Sequence, residues 1–240
     1  MFLSYDILYT MPVHKEVNKD FFKNWSPQMA YVLGFFAADG YITVNKRGGQ
    51  FWCIQITDRE LLFSIREALP ANHKISERLG KGSNKTQYRL QIGSIEMCDD
   101  LRTLGFSERK TKSMSIPNVP EKYLADFARG YFDGDGNIWS GLLHKERKTQ
   151  TATLFIAFTS CSVPFLMKLK SRLSTFCVGG CIYRSKRNYA RLQYSTGDSL
   201  KLYDFMYNQC GRGYLKSGLF LDRKKKVFEK YTLLKNAPVV

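Results

Sequence analysis

Hydrophobic positions follow a helical period and then a strand period, in an order that favours a mixed α+β fold. Ser26 can cap a helix that starts at Pro27 and carries an apolar run as far as Asp39, with Gly40 as its stop. Strand-like runs over 41–45 and 51–57 then flank the turn KRGG and predict a hairpin. The rest of this half is predicted as a helix over 60–69, a hairpin over 73–92 and a helix over 95–106.

The same order of elements occurs again after residue 120. The pattern predicts a helix from Pro120 to residue 136, strands over 137–143 and 151–160, a helix over 164–173, a hairpin over 181–195 and a helix over 200–209. This domain-sized repeat indicates a duplication, with the polar segment 107–120 as linker. We therefore predict an N-terminal extension over 1–24 and two domains, 25–118 and 119–240.

The predicted hairpin strands carry one polar face. Gln87, Arg89 and Gln91 alternate with apolar neighbours, and Arg191 and Gln193 do so in the second half. Half-solvated sheets often look like this, but the chain also has a formal net charge of +16. Arg and Gln make bidentate contacts to guanine and adenine edges, so the combination favours double-stranded DNA as the partner.

Two classes of location are disfavoured by the same pattern. No apolar run approaches the roughly 20 residues that a membrane-spanning helix needs. Asp6 interrupts the first apolar segment, and no basic segment precedes it as in a secretory signal. We expect an intracellular protein of the cytoplasm, nucleoid or an organelle, neither secreted nor bound to a membrane.

Two nine-residue strings, VLGFFAADG (32–40) and ARGYFDGDG (128–136), resemble the signature motifs of LAGLIDADG homing endonucleases of the two-motif, single-chain form. The resemblance covers essentially the whole chain. It implies two pseudo-symmetric αββαββα domains, packed through two central helices, whose antiparallel sheets form a saddle over DNA. It further implies a monomer, encoded within an intron, that makes a metal-dependent double-strand break in a long asymmetric target and leaves short 3′ overhangs.

The motif residues also make physical sense on their own terms. Small residues four apart, Gly34 with Ala38 and Gly130 with Gly134, let two helices pack closely. Close packing brings Asp39 and Asp135 together at two negative helix ends, where they repel unless a cation binds between them. Mg²⁺, a hard cation that prefers oxygen ligands, is the predicted cofactor.

The resemblance assigns roles to further residues. Metal binding falls on Asp39 and Asp135, with Ala38 and Gly134 beside them, and Mn²⁺ or Ca²⁺ can substitute for Mg²⁺ in binding. The first motif has Ala37 where the second keeps Asp133, which is expected to support its neighbour rather than bind metal.

A basic residue is expected near each scissile phosphate, where it stabilises charge or orders water. Position after the last helix of each half suggests Lys110 and Lys224, with Arg223 or Lys225 nearly as good in the second half. Gln55 matches a family position that orders solvent, and its counterpart is Thr159.

The predicted DNA-contacting residues lie on the polar strand faces and at the hairpin tips. Lys and Arg at the tips are expected to hold phosphates, and the strand residues to read bases. They are Thr43, Asn45, Lys46, Arg47, Gln50, Arg78, Lys81, Lys85, Gln87, Arg89 and Gln91 in the first half, and Lys148, Gln150, Arg184, Lys186, Arg187, Arg191 and Gln193 in the second.

A binder of the same fold that does not cleave, either an intron RNA maturase or a DNA-binding regulator, is the main alternative, and intron RNA would then be a partner. A nonspecific nucleic-acid-binding protein is a weaker alternative. Metal-dependent cleavage separates the enzyme from both.

Overall fold

Each half of the chain builds one four-stranded antiparallel sheet whose inner face is covered by helices. The computed structural model describes residues 15–83, 85–108, 110–143, 146, 150–208 and 217–236. No helix in these ranges is long and apolar enough to cross a membrane. The α+β class and the repeated order of elements predicted from the sequence are confirmed.

The first half begins with α1 (Pro27–Asp39), capped as predicted because Ser26 Oγ accepts a hydrogen bond from Met29 N at 3.0 Å. Its strands pair in the order β1-β2-β4-β3. The remaining elements of this half are β1 (Gly40–Val44), β2 (Gln50–Ile56), α2 (Arg59–Ala68), β3 (Ile75–Arg78), β4 (Gln87–Gly93), α3 (Ile95–Thr103) and the short α4 (Lys110–Ser113).

The second half begins with a single 3₁₀ turn (Glu121–Tyr123) that leads into α5 (Leu124–Asp135). Its strands pair in the equivalent order β5-β6-β8-β7. The elements are β5 (Gly136–Leu143), β6 (Thr151–Ser160), α6 (Val163–Leu173), β7 (Cys181–Arg184), β8 (Ala190–Tyr194), α7 (Thr196–Tyr203) continued by a π-helical turn (Asp204–Asn208), and α8 (Asp222–Asn236).

Alternation along the strands separates a buried face from an open face in both sheets. In β4, Leu90 and Ile92 are fully buried while Gln87 and Arg89 are exposed. In β8, Leu192 and Tyr194 are fully buried while Arg191 is exposed. The polar faces predicted from the sequence are therefore the open faces of the two sheets.

The helices α1 and α5 end where the first strand of each sheet begins, at Gly40 and Gly136. These glycines do not adopt the left-handed conformation expected of a C-terminal stop, because their φ angles are −85° and −79°. Close approach explains them instead. A Cβ on Gly40 would lie 2.1 Å from the ring of Phe36, and one on Gly136 would lie 2.3 Å from the ring of Phe132.

The segment 107–120 differs from the polar linker that its composition suggested. Met114, Ile116 and Val119 are buried in the common core. The second half also holds this segment through its backbone, since Ser162 Oγ donates to Met114 O at 2.7 Å. The connection between the halves is therefore packed into the core by its apolar residues and hydrogen-bonded to the N-terminus of α6 through its backbone.

Residues 16–22, within the described part of the N-terminal extension, pack on the first half. Phe22 is buried with its ring centroid 5.4 Å from that of Trp52. Backbone hydrogen bonds join Asn18 N to Leu69 O and Asn72 N to Glu16 O, both at 3.2 Å. The segment is thus attached to this domain both by a buried ring and by its backbone.

Candidate active site

The two motif helices, α1 and α5, touch backbone to backbone. A Cβ added to Gly34 would lie 2.1 Å from Phe127 O, and one added to Gly130 would lie 2.1 Å from Tyr31 O. The two contacts are related by the pseudo-symmetry of the halves. Since real Cβ atoms do not approach so closely, both positions require glycine, as the small-residue pattern predicted.

The same close packing continues to the helix ends. A Cβ on Gly134 would lie 2.4 Å from Ala38 Cβ and 3.1 Å from Asp39 Oδ2. Asp39 therefore reaches the end of the opposite helix, and the ends of α1 and α5 form one site. The structure brings together all four residues predicted at the helix contact.

The Asp39 and Asp135 carboxylates are partly exposed at this site, and neither has a hydrogen bond or ion pair within the described part of the chain. Burial, and then the neighbouring Asp135, raise the pKa of Asp39 to about 6. Burial also raises the pKa of Asp135, against the opposing effect of two lysines. Two unsatisfied carboxylates beside each other form a natural cation site.

The fit to a divalent cation depends on ligands beyond these two side chains. Among the described residues, no group of three His, Cys, Asp or Glu side chains could hold a metal ion. Mg²⁺ suits such a site, because it is usually held by one or two carboxylates with waters and substrate phosphates completing its coordination. The donor set present therefore fits Mg²⁺ bound together with a phosphodiester.

Lys110 and Lys224 flank the carboxylates from the two sides and are almost fully buried, with 7% and 5% exposure. Lys110 Nζ donates to Ala37 O at 2.7 Å, and Lys224 Nζ donates to Asp133 O at 2.8 Å. Ala37 and Asp133 occupy equivalent positions in the two motifs, so the two lysines are structural counterparts. The alternatives Arg223 and Lys225 point elsewhere, because Arg223 pairs with Asp58 and Lys225 lies over the Phe220 ring.

Both lysines are close enough to the carboxylates to interact with them. Burial lowers the pKa of Lys110 to about 8, against the opposing effect of Asp135 and Asp39. Burial likewise lowers the pKa of Lys224 to about 8, against Asp133 and then the two site carboxylates. Buried lysines with perturbed pKa values beside carboxylates are typical of functional sites.

The two lysines differ in how firmly they are held. Lys110 donates one hydrogen bond among the described residues, which leaves it further N–H groups. Lys224 faces four backbone oxygens, since it also contacts Phe132 O, Gly134 O and Gly136 O. An ammonium has three protons, so these backbone carbonyls use the full hydrogen-bonding capacity of the Lys224 ammonium.

Gln55 and Thr159 occupy equivalent places on the open faces, as expected. Gln55 lies opposite Arg89 in the β2–β4 pair, and Thr159 lies opposite Arg191 in the β6–β8 pair. Gln55 Nε2 donates to Gln87 Oε1, whereas Thr159 O accepts the Tyr131 hydroxyl at 2.8 Å. The two halves therefore present different side chains at this position.

The predicted DNA-contacting residues of the first half lie mostly on the open face or at the tips. Register places Thr43, Arg78, Arg89 and Gln91 on the open face, and Gln87 pairs there with Arg78. The exposed tip residues are Lys46, Arg47, Lys81 and Lys85.

Two residues of that set are placed differently from the expectation. Gln50 shares the face of Trp52 and Ile54 because side chains alternate along β2, so it points toward the helices. Asn45 closes the β1–β2 turn, since its Oδ1 accepts from Arg47 N at 2.9 Å and Gly49 N at 2.8 Å. This turn contact occupies the carboxamide oxygen that base reading would use.

In the second half, Arg191 and Gln193 lie on the open face and Lys186 and Arg187 lie at the exposed β7–β8 tip. Arg184 pairs with the buried Ala190 and so belongs to the opposite face, although its side chain is exposed at the strand end. Gln150 is exposed before β6. Lys148 lies outside the described residues.

Sequence reasoning missed an aromatic surface on the open face of the second sheet. Trp139 is 43% exposed, stacks on Phe155 with centroids 5.8 Å apart, and lies over Gly141. Tyr183 is exposed on the same face, opposite Arg191. Side chains alternate along β5, so Trp139 lies on the same face as Asn137, whose partner Ala157 pairs with Gln193 of the open face. This alternation could have predicted the position of Trp139.

Sequence reasoning also missed the environment of Asp133, which is buried. Its Oδ2 accepts hydrogen bonds from the Tyr31 hydroxyl at 2.7 Å and from Leu221 N at 2.8 Å, and its Oδ1 accepts from the Tyr207 hydroxyl at 3.1 Å. The hydrogen-bond partners of this carboxylate are two tyrosine hydroxyls and one backbone N–H. The placement agrees with the supporting role expected for it.

A family comparison matches the chain twice. The LAGLIDADG-like domain matches residues 26–103 and 122–205, and each match contains one motif helix.

Sequence relatives among curated proteins cover only part of the chain. A stretch of 114 residues is 27% identical to a subunit of the A-type ATP synthase of Methanopyrus kandleri, covering 48% of this chain and 10% of that protein. A stretch of 128 residues is 23% identical to an uncharacterised protein of Methanocaldococcus jannaschii, covering 50% of this chain and 43% of that protein. The chain thus spans less than half the length of either relative.

Solved structures with the same fold include two LAGLIDADG nucleases. The meganuclease I-AabMI, bound to uncleaved DNA, is 18% identical with a TM-score of 0.58, over 88% of this chain and 91% of that one. The homing endonuclease I-SmaMI, bound to cleaved DNA, is 15% identical with a TM-score of 0.56, over 89% of this chain and 91% of that one. At these identities the likeness establishes the fold.

Proposed function

Because the chain belongs to the LAGLIDADG family, we propose that it is a homing endonuclease that makes a Mg²⁺-dependent double-strand break in a long, asymmetric DNA site. One observation carries the proposal. Asp39 and Asp135 lie at the adjoining ends of α1 and α5 without hydrogen-bond partners among the described residues. A binding protein gains nothing from two unpaired, partly buried carboxylates, because they repel each other and the DNA.

The metal would be held by Asp39 and Asp135, with the carbonyl groups of Ala38 and Gly134 beside them. Bound Mg²⁺ would supply Lewis acidity to the scissile phosphate and acidify a water. The protein holds its two carboxylates ready for this cation by fixing them on two helices that cannot slide apart without breaking the glycine contacts.

Lys110 and Lys224 would supply positive charge from the protein. With pKa values of about 8, both hold a proton at Nζ for most molecules at neutral pH. Backbone carbonyls hold both ammonium groups, one at Lys110 and four at Lys224. Both groups are almost fully buried, so their field acts on a phosphate with little screening by water. Charge that develops on the phosphate is stabilised without reorganisation of the site.

Gln55 would orient a water molecule or a phosphate oxygen from the open face, where its side chain is partly exposed. Thr159 takes this place in the second half with a shorter side chain. The two strands of the target therefore meet centres of different composition. We propose that a single chain reads both half-sites, one with each sheet, and leaves short 3′ overhangs.

DNA would lie along the open faces of the two sheets. Arg89, Gln91, Arg191 and Gln193 lie on these faces, where their side chains would reach base edges in the major groove. The exposed Lys and Arg residues at the hairpin tips would hold the phosphates on both sides. We further propose that the protein is encoded within an intron, as the family resemblance implies.

The experiment is selection from a randomised duplex library, with Mg²⁺ and with EDTA. The proposal expects Mg²⁺-dependent breaks at one recovered long, asymmetric sequence. Selective retention of one sequence without breaks would replace it with a non-cleaving DNA-binding regulator. Binding to structured intron RNA, with no selection among duplexes, would replace it with a maturase.

A further inference from the structure

Asp133 is the one motif acid without a counterpart, because the equivalent position in α1 is Ala37. A buried carboxylate is costly unless it is fully hydrogen-bonded. Asp133 meets this condition through Tyr31, Tyr207 and the backbone N–H of Leu221. This arrangement exists in one half of the molecule and has no equivalent in the other, which indicates a role that is specific to the second half.

Leu221 connects Asp133 to the start of α8. Its N–H donates to Asp133 Oδ2 at 2.8 Å, and its carbonyl accepts from Lys224 N at 3.0 Å. The Lys224 ammonium then returns to Asp133 O at 2.8 Å. These three hydrogen bonds form a closed loop. The Asp133 carboxylate holds Leu221 just before α8, and from the first turn of α8 the Lys224 side chain reaches back to the backbone carbonyl of Asp133.

Two further buried residues of α5 hold the chain that leads into this loop. Arg129 Nε donates to Leu219 O at 2.8 Å, and Asp126 Oδ1 accepts from Ser217 N at 2.9 Å. The equivalent residues of α1 are Leu33 and Ala30. The polar side of α5 is thus built to hold the segment before α8, whereas α1 is apolar there.

Tyr31 makes this arrangement depend on both halves. It belongs to α1, yet its hydroxyl donates to Asp133 Oδ2 at 2.7 Å. The pseudo-symmetric pair, Phe127 and Ala37, has no hydroxyl and no carboxylate. The cross-helix hydrogen bond therefore exists once, and it serves the lysine of the second half.

We propose that Asp133 is a positioning residue for Lys224, and that Tyr31 takes part from the opposite half by fixing the Asp133 carboxylate. The inference rests on the proposed endonuclease function for its effect on cleavage. Its consequence is selective for one strand. Loss of the contacts made by the Asp133 carboxylate releases Leu221 and the start of α8, which slows cleavage at the centre that contains Lys224 and leaves the centre that contains Lys110 unaffected.

Two variants test this with little disturbance of packing. Asp133→Ala and Tyr31→Phe each introduce the side chain that the other half carries at the equivalent position, Ala37 and Phe127. The matched control is Asp198→Asn. Asp198 lies in the same half and also accepts a backbone N–H, from Gly179 at 3.0 Å, but it bonds to nothing in α8 within the described residues.

The first measurement is single-turnover cleavage of the recovered duplex with each strand labelled separately. Lys224→Met identifies the strand that depends on Lys224. On that strand we expect Asp133→Ala to be slower by about 100-fold and Tyr31→Phe by about 10-fold, as for small displacements of a catalytic group. The other strand, and cleavage by Asp198→Asn, should stay within about twofold of wild type. Equal slowing of both strands, or none, would overturn the inference.

The second measurement needs neither metal nor DNA. Lysine acylation, quantified by mass spectrometry on the folded protein, should rise at Lys224 in both variants and stay unchanged at Lys110. Unchanged labelling of Lys224 in both would overturn the positioning role. If wild type cleaves neither strand, the endonuclease proposal fails, and lysine labelling still decides whether Asp133 positions Lys224. If Asp133→Ala does not fold, Tyr31→Phe decides both measurements.

Discussion

The contact between α1 and α5 predicts a large penalty for one added methyl group. In Gly34→Ala, the new Cβ would meet Phe127 O at 2.1 Å and Tyr131 N at 3.0 Å, and both atoms belong to backbone inside a helix. Overpacking of this kind costs about 1–3 kcal/mol, while replacing glycine by alanine in a helix returns about 1 kcal/mol. Since backbone cannot move aside as a side chain can, we take the upper end and expect a net loss of about 2 kcal/mol.

Thermal unfolding checks this magnitude. For a chain of this size, about 2 kcal/mol corresponds to a Tm lowered by about 4–8 °C. Gly197→Ala is the matched control, because Gly197 also lies in a helix and a Cβ there meets nothing within 4 Å. We expect its Tm to be unchanged or raised by up to about 4 °C.

Cleavage should respond more strongly than stability. Separating the helices moves Asp39 away from Asp135, so folded Gly34→Ala should lose most of its Mg²⁺-dependent activity. If Gly34→Ala unfolds at the wild-type temperature and cleaves normally, the helices do not depend on this close contact, and the argument for a shared cation site fails.

Three further predictions concern charge at the site and on the open face. Asp39 has a pKa raised to about 6, so the folded state binds more protons than the unfolded state between about pH 4 and 6. Its contribution to the free energy of unfolding in EDTA is therefore lost as pH rises through about 6. At pH 7.5, Asp39→Asn should raise Tm in EDTA but should remove the stabilisation that Mg²⁺ gives. The control is Glu77→Gln at an exposed position, whose Tm should match wild type in EDTA and in Mg²⁺. The rate of cleavage should fall as pH rises through about 8, because Lys110 and Lys224 lose their protons there. A rate that stays constant between pH 7 and 9.5 would refute a role for their charge. Affinity for the recovered duplex should fall steeply with salt, and replacing Arg187 by Ala should reduce the slope by about 1; a flat salt response would contradict the assignment of the open faces to DNA.

The sequence predicts α1, α5 and their carboxylates well, because the local signals for helix formation and the small residues that permit helix contact point to the same two segments. Ser26 caps the first helix, and small residues recur at the spacing of one helix face. Alternation in β4 and β8 likewise predicts which residues lie on the open faces. Gln50 is an exception, because the alternation along β2 puts its side chain on the same face as Trp52, which is the face covered by helices.

The sequence favours Lys224 as the lysine of the second half only slightly over its two basic neighbours. Lys110 and Lys224 stand at different distances from their motifs, so no repeat alignment pairs them, and Arg223 and Lys225 are adjacent in the chain. Only the shared contact with equivalent carbonyls, Ala37 O and Asp133 O, shows that they correspond. Hydrogen bonds between residues far apart in sequence, such as Tyr31 to Asp133, leave no periodic signal.

Cleavage of the recovered duplex by three proteins tests the central claim most directly: wild type, Asp39→Asn and Asp135→Asn, each with Mg²⁺ and with EDTA, with the ends of both strands mapped. A cation site shared by the two carboxylates predicts staggered breaks with short 3′ overhangs for wild type in Mg²⁺. It predicts no double-strand break for either variant, although both still bind the duplex. Double-strand breaks by either variant, or by wild type in EDTA, would contradict the account.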